Sequence, residues 1–487
     1  MMLGQTLATS ALLFLARAYA QSSLSGSFDI LTYNIAGLPE PLSGSDPVNN
    51  TPLISQRIGN FSIIHVQEDF AYHDALLFND RHRTTTSGNV PLGSGLNTLS
   101  NYPWTDLKRE TWKACWFGSG DCLTPKGFTA MRMQLAPGVN IDFYNLHAEA
   151  GDTDLDFAAR QIGFQQLSNF IGAYSSGNAV VLAGDTNTRY TSAKDPARLF
   201  AEKNGMSDIW LVLEKGGVAP SPGPSIECPF PIPAGKEDNK CEQIDKIHFR
   251  GSKALKLIPK GFVNHNYQFL RPDGGPLSDH MPLQAIFDWE VSGSLRAGPE
   301  ILGGRENSGY WNDVADYKGA FESPVSATVL SSITIRSGSR IDALKYSLSD
   351  GRVLNRGGSG GGDSKQLALQ DGENVQKVEL CTGTRNDGKK GVFWMRVETD
   401  RGHSVEAGKR TDMCTAWTRP GEGWTIAGFQ GHTGTELDAV GVLWGLRGNF
   451  SYPIISAAPP TQRASFSALL FSATAAGASV AAVLMFA

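Results

Sequence analysis

Short apolar runs that stop at a polar residue recur along the first half of the chain. Phe28–Tyr33 alternates apolar and polar positions and ends at Asn34, the pattern of a strand running into a Gly/Pro loop. Phe61–Val66 is a mainly apolar run, broken by Ser62 and His65, that stops at Gln67-Glu68. Val139–Tyr144 stops at Asn145-Leu146-His147, and Ala179–Ala183 stops at Gly184-Asp185. Runs of this length predict buried strands. Between the last two, Phe157, Ile162, Leu167, Phe170 and Ile171 fall at helical spacing, which predicts a helix over Phe157–Ile171. Strands that end in polar residues, with helices interposed, predict a layered α/β sandwich with chemistry along one edge of its sheets.

After Trp289 the pattern changes. Val291–Pro299 is small and polar and reads as a linker. Beyond it, strand-like runs alternate with Gly-rich turns: Ile333–Ile335, Ala343–Tyr346, Val378–Leu380, Val392–Val397 and Ala439–Trp444. Helical periodicity is weak, so this half predicts an all-β domain. Gly357–Gly362 resembles a flexible linker taken alone, but strands continue on both sides, so it reads as a loop within that domain.

A chain of 487 residues exceeds one ordinary core, in keeping with two domains. Its 54 glycines favour turn-rich β architecture. The net charge of −5 argues against a stable complex with nucleic acid, whose phosphates call for a basic surface. Residues 1–20 carry a short apolar run that ends Ala18-Tyr19-Ala20, the form of a secretory signal. Residues 459–487 hold a polar spacer and an uncharged apolar tail after small residues Ser456, Ala457 and Ala458. That order predicts a glycolipid (GPI) anchor signal, with a retained membrane helix as the alternative. The expectation is therefore a secreted or cell-surface protein. Such a setting favours disulfides, and sequence proximity suggests Cys115–Cys122, Cys228–Cys241 and Cys381–Cys414. Asn49, Asn60 and Asn449 begin N-x-S/T triplets, potential glycosylation sites.

Phosphoester hydrolysis needs a hard cation, an activated water and a proton for the leaving oxygen. The polar residues that close the apolar runs supply such groups: Asn34, Glu68, His147, Asp185 with Asn187, Asp245, and Ser278-Asp279-His280. Each alone has a structural reading as a cap, a turn residue or a hydrogen-bonded histidine. The ordered set carries more. Leu31-Thr32-Tyr33-Asn34, Val66-Gln67-Glu68, Asn145-Leu146-His147, Gly184-Asp185-Thr186-Asn187, Ile244-Asp245-Lys246-Ile247 and Ser278-Asp279-His280 resemble the signature of the endonuclease/exonuclease/phosphatase (deoxyribonuclease-like) family over residues 27–289. The resemblance implies a four-layer α/β sandwich. It implies a site for Mg²⁺, or Mn²⁺ in its place, with Glu68 as main ligand beside Asn34 and Asp279. It further implies His280 as general base or phosphate contact oriented by Asp245, and Asp185 as the residue that positions or deprotonates water. Asn187 would bond a phosphoryl oxygen, and His147 would steady the phosphate and assist the leaving group.

The substrate reading is finer. Asp121–Phe128, with its Lys126-Gly127 pair ahead of the strand to His147, resembles neutral sphingomyelinases and implies a lipid phosphodiester such as sphingomyelin. An ordinary turn at Lys126-Gly127 is the structural alternative. Gly184-Asp185-Thr186-Asn187-Thr188-Arg189 also resembles an inositol polyphosphate phosphatase element, though the Pro and Trp expected ahead of Asp245 are absent. A nuclease is a further alternative. In the second half, Ile301-Leu302-Gly303-Gly304, Tyr310–Asp313 and Ile426–Val442 resemble jacalin-like lectins over residues 297–447, implying a three-sheet β-prism. Its G-x-x-x-D loop, here Gly434 to Asp438, would bind sugar hydroxyls with Gly303 or Gly304 nearby, and Glu436 within the loop would alter sugar choice. The reading is a secreted metal-dependent phosphodiesterase with a glycan-binding domain. The alternative from another class is a cell-surface lectin whose esterase-like half is an inactive scaffold.

Overall fold

A computed structural model of the chain describes residues 24–447 except 41, 77–81, 233–238, 306–307, 317–329 and 350. The expected signal and tail segments and Asn449 lie outside the described residues; Asn49 and Asn60 are exposed. Among the described residues no helix is long and apolar enough to cross a membrane.

Among the described residues the first half contains twelve strands: β1 (Ser25–Asn34), β2 (Ile63–Gln67), β3 (His82–Arg83), β4 (Asn97–Ser100), β5 (Trp104–Thr111), β6 (Gly127–Ala136), β7 (Val139–His147), β8 (Ala179–Asp185), β9 (Ser207–Asp208), β10 (Asp245–Arg250), β11 (Leu255–Asn264) and β12 (Leu283–Val291). They form two six-stranded sheets, ordered β11-β12-β1-β2-β4-β3 and β5-β6-β7-β8-β10-β9. The side-chain period of two explains the layering. Phe28, Ile30, Ile141, Phe143, Val181, Ala183 and Ile247 point inward to a core shared by both sheets. Their neighbours Leu31, Tyr33 and Ile64 point outward, onto Ile54 and Ile58 of helix α1 (Pro47–Ile58). On the other sheet Tyr144, Leu146, Val180 and Leu182 meet Phe164, Leu167 and Ile171 of helix α2 (Asp154–Tyr174). The result is the expected four-layer sandwich. The helix read as Phe157–Ile171 starts earlier because Thr153 and Asp156 form a reciprocal capping box. Helix α1 has no counterpart in the sequence reading; it contains Pro52, and Asp46 caps its start.

Among the described residues, thirteen further strands follow Val291 in three antiparallel sheets. Ile333, Leu344, Val378, Met395, Ile426, Val442 and Trp444 from all three sheets fill one core, a β-prism. Leu295–Ala297, inside the segment read as a linker, is a strand paired with Leu443–Gly445. The backbone of that short polar stretch finds its partners across the fold, a relation local composition does not record. The three disulfides pair as sequence proximity suggested: Cys115–Cys122, Cys228–Cys241 and Cys381–Cys414.

The two halves meet through buried polar groups. Arg132 of β6 donates Nε to Asp142 Oδ1 at 2.7 Å and Nη2 to Oδ2 at 3.0 Å. The same guanidinium lies 3.9 Å from the centroid of the Tyr310 ring. Tyr310 Oη and Asn312 Nδ2 both donate to Asn178 Oδ1, at 3.1 and 3.0 Å. His432 Nε2 sits 3.4 Å from Asp106 Oδ2, with both side chains buried.

Candidate active site

Strand register explains why residues far apart in the chain converge. β7 and β8 run parallel with His147 opposite Asp185, and β10 lies antiparallel with Asp245 opposite Asp185. Three functional groups thus stand side by side at one edge of the second sheet. Each lies an even number of positions from an inward core residue: His147 from Phe143, Asp185 from Ala183, Asp245 from Ile247. They therefore face the opposite sheet. On that sheet β1 and β2 are parallel with Asn34 opposite Gln67, which sets Glu68 just beyond the strand end. Gln67 Nε2 donates to Asn145 Oδ1 at 2.7 Å and so bridges the two sheets beneath the site. Glu68 takes φ 56°, a left-handed conformation, and Asn187 takes φ 47°. Non-glycine residues held there concentrate at functional sites.

Asn34 Nδ2 donates to Glu68 Oε1 at 3.0 Å and to Asp185 Oδ2 at 3.1 Å, joining the sheets' carboxylates. Its amide oxygen accepts from Ala36 N at 3.0 Å, so Asn34 turns its nitrogen toward Glu68. His147 Nε2 lies 3.3 Å from Asp185 Oδ2 and 4.0 Å from Glu68 Oε1. His280 Nδ1 pairs with Asp245 Oδ2 at 2.9 Å, while its Nε2 is 3.6 Å from Asp185 Oδ2. Asn187 N donates to Asp185 Oδ1 at 3.0 Å, and its side-chain amide donates to Ala148 O at 3.3 Å. Asn34, Glu68, His147, Asp185, Asn187, Asp245 and His280 are thus one connected cluster. Asp279 is exposed and meets the Ser278 hydroxyl at 3.3 Å. Ser278 Oγ also donates to Asn34 O at 2.6 Å, which fixes the 278–280 segment against β1.

Burial and charge push the titratable groups apart. Burial pushes the Asp185 carboxyl up to about 7; His280 opposes the rise and Asp245 adds to it. Burial alone would lower His280, but Asp245 and Asp185 overcome it and hold the imidazolium well above the ordinary histidine value. His147 is held well below that value, by burial first and then by the charges of Lys126 and His280. His147 is therefore neutral, and His280 carries the charge.

The donor set fits a divalent cation. Asn34 links Glu68 to Asp185, and Asp245 Oδ1 is buried without a hydrogen-bond partner among the described residues. Ligand-capable atoms of Asp185, Asp245 and His280 all lie within 4.8 Å of one another. The Glu68 side chain is 20% exposed, more open than either aspartate. Oxygen donors of this kind suit Mg²⁺, which keeps several waters and takes one or two carboxylates.

Lys126 was legible in the sequence only as half of a Lys-Gly pair. Its ammonium sits 2.6 Å from Asp121 Oδ1, and its charge reaches His147 and Asp185. In the prism, Gly304 N donates to Asp438 O at 2.8 Å, and Gly434 N to Glu436 O at 3.1 Å. Gly303, at φ 127°, has no room for a side chain: a Cβ there would meet Asp438 O at 2.1 Å. The loops carrying Gly303, Gly304, Gly434 and Asp438 are therefore adjacent, as the sequence reading required.

Residues 49–214 match the family described as Endonuclease/Exonuclease/phosphatase family 2, and residues 300–443 match the jacalin-like lectin domain. The chain is 37% identical over 278 residues to sphingomyelinases of Mycobacterium bovis and Mycobacterium tuberculosis, covering 55% of this chain and 54% of each relative. It spans about half the length of the curated relatives it matches. A solved structure of β toxin from Staphylococcus aureus is 17% identical, covering 53% of this chain and 99% of that one, with a TM-score of 0.40. Two family models thus match separate stretches of this chain, the endonuclease/exonuclease/phosphatase model in its first half and the jacalin-like lectin model in its second.

Proposed function

We propose that this protein is an exported, Mg²⁺-dependent phosphodiesterase that cleaves a membrane lipid such as sphingomyelin. The observation that carries the reading is the convergence of Asn34, Glu68, His147, Asp185, Asp245 and His280 at one sheet edge. Glu68 would hold the cation, with Asn34 fixing the Glu68 carboxylate by its amide nitrogen. Bound Mg²⁺ would polarise a phosphoryl oxygen and offset charge in the transition state. Asp185, raised to about 7, is poised to take a proton from the attacking water near neutral pH. His280, kept charged by Asp245, supports the phosphate-contacting one of the two roles allowed by the sequence. It is also placed to give a proton to the leaving oxygen. Neutral His147 can steady the phosphate by a hydrogen bond but brings no charge. The separation of these proton affinities is what acid–base chemistry at neutral pH requires.

Exposed apolar side chains on loops rooted at this edge favour a lipid over a nucleic acid. Trp116 and Phe117 (76% exposed) sit on the loop closed by Cys115–Cys122, and Leu123 (61%) directly follows it. That loop is tied to the site by Trp116 N donating to Glu149 Oε1 at 2.8 Å, two residues past His147. Leu92 (80% exposed) lies on the loop leading to Gly95, which packs against Glu68. Water-facing groups of this size suit the interface of a bilayer. Three disulfides support an oxidising, extracellular setting, and the GPI anchor remains part of the proposal.

A panel of sphingomyelin vesicles, bis-p-nitrophenyl phosphate, inositol phosphates and DNA, each with Mg²⁺ and with EDTA, tests the reading. We expect chelator-sensitive hydrolysis with sphingomyelin preferred, and its loss in Glu68→Ala. Trp116→Ser/Phe117→Ser should slow vesicle hydrolysis and spare the soluble diester. Normal turnover by Glu68→Ala, or preference for DNA, would overturn it.

A further inference from the structure

The carboxylate that closes the G-x-x-x-D loop is already engaged within the protein. Asp438 Oδ1 lies 2.5 Å from Arg385 Nη2, and the same guanidinium places Nη1 3.2 Å from Glu436 Oε2. Glu436 is gripped from its other side by Arg340, with Nε 2.8 Å from Oε2 and Nη2 2.5 Å from Oε1. The Arg385 and Asp438 side chains are only 13% and 6% exposed.

Arg385 is delivered by a tight turn between strands Val375–Thr384 and Lys390–Thr399. Arg385 N donates to Lys389 O at 2.7 Å, and Lys389 N to Asp387 Oδ1 at 3.1 Å. The turn is pressed onto the neighbouring loop, since a Cβ at Gly304 would meet Lys390 O at 2.0 Å. Gly304 spends its backbone N–H on Asp438 O. Both groups that a sugar would need, the Asp438 carboxylate and the Gly304 amide, therefore have partners inside the fold.

We infer that Arg385 closes the Asp438 pocket to neutral sugars and so acts as its specificity-determining residue. The inference rests on the jacalin-like reading of this domain. A hexose presents hydroxyls, and hydroxyl bonds to a carboxylate are weaker than the charge-assisted bond an arginine makes. A neutral ligand also cannot replace the carboxylate that the guanidinium would give up, which would leave this partly buried cation with only its longer, 3.2 Å contact to Glu436. Glu436 contributes by holding the far edge of the guanidinium, with Arg340 balancing the second negative charge. The extra carboxylate in the loop thus serves to seat Arg385.

The test is calorimetric titration of the full chain with methyl α-D-mannopyranoside and methyl α-D-galactopyranoside. The wild-type protein should give no binding that depends on Asp438 at millimolar hexoside. Arg385→Ala should gain affinity for one of the two by at least about tenfold, and Arg385→Ala/Asp438→Asn should lose that gain. Circular dichroism and urea unfolding check that the variants fold. Should Arg385→Ala fail to fold, Arg385→Gln, whose shorter amide falls away from Asp438, takes its place. Wild-type binding that Asp438→Asn abolishes would overturn the closure and leave the sugar site standing. A folded Arg385 variant that binds neither hexoside would overturn the sugar-site reading of this loop, and the closure with it.

Discussion

Replacing Asp185 with asparagine removes a charge and keeps the shape, so the response of folding can be worked out. Burial pushes this carboxyl from an ordinary value of 3.8 up to about 7, against the pull of His280 and with the help of Asp245. The sign follows from linkage. The unfolded chain releases the proton near pH 4, and the folded chain only near pH 7, so stability falls as pH rises through that window. At about 1.4 kcal/mol per pH unit, the loss above pH 7 comes to about 4 kcal/mol. Asp185→Asn escapes that loss. Against it stands a hydrogen bond: Asn34 Nδ2 and Asn187 N both donate to the carboxylate, at 3.1 and 3.0 Å, and an amide accepts with one atom only. A lost bond costs about 1 kcal/mol. The variant should be about 1 kcal/mol less stable at about pH 4, and about 2–3 kcal/mol more stable at about pH 8. Urea unfolding of both proteins in EDTA measures this, the chelator ensuring that no cation neutralises the carboxylates. Hydrolysis of bis-p-nitrophenyl phosphate with Mg²⁺ should meanwhile fall by about a hundredfold or more. A stability difference that stays constant between about pH 4 and about pH 8 would refute the reasoning, because the raised carboxyl would then not exist.

Asp245→Asn removes the 2.9 Å partner that keeps His280 charged, so turnover should fall by about 10²–10³-fold. The His280 proton should then titrate at lower pH in a histidine NMR titration; an unmoved titration would count against the pair. Arg132→Met leaves the buried Asp142 carboxylate without its bidentate partner and should destabilise the fold by about 3–5 kcal/mol in urea. Adding Asp142→Leu should recover most of that loss, and an additive double variant would deny the coupling. Cys115→Ser/Cys122→Ser frees a loop with a sequence separation of 7. It should cost about 2–3 kcal/mol on a chain-entropy estimate. Vesicle hydrolysis should suffer more than hydrolysis of the soluble diester, and equal losses would speak against a membrane-facing loop.

The sandwich and its site were legible because their signals are local. A run such as Val139–His147 announces its strand by composition, and its polar end marks the sheet edge where the groups of the candidate site collect. Period two then settles which face His147, Asp185 and Asp245 share. Groups set by tertiary pairing left no such trace. Arg385 and Asp438 are 53 positions apart and meet only because two hairpins of the prism converge. The amide orientation of Asn34 depends on a backbone N–H two residues on, and the strand at Leu295–Ala297 depends on partners near the far end of the domain. Nothing in the sequence analysis singled out Arg132, yet it is the guanidinium on which Tyr310 rests.

That last contact bears on any attempt to take the protein apart. A chain shortened before Tyr310 would lose the aromatic lid over Arg132, open Asn178 to solvent and leave Asp106 without His432. The first half handled alone would present a newly bared, charged flank that the intact chain keeps covered. Poor yield or low activity from such a fragment would report on that wound rather than on any need for sugar recognition.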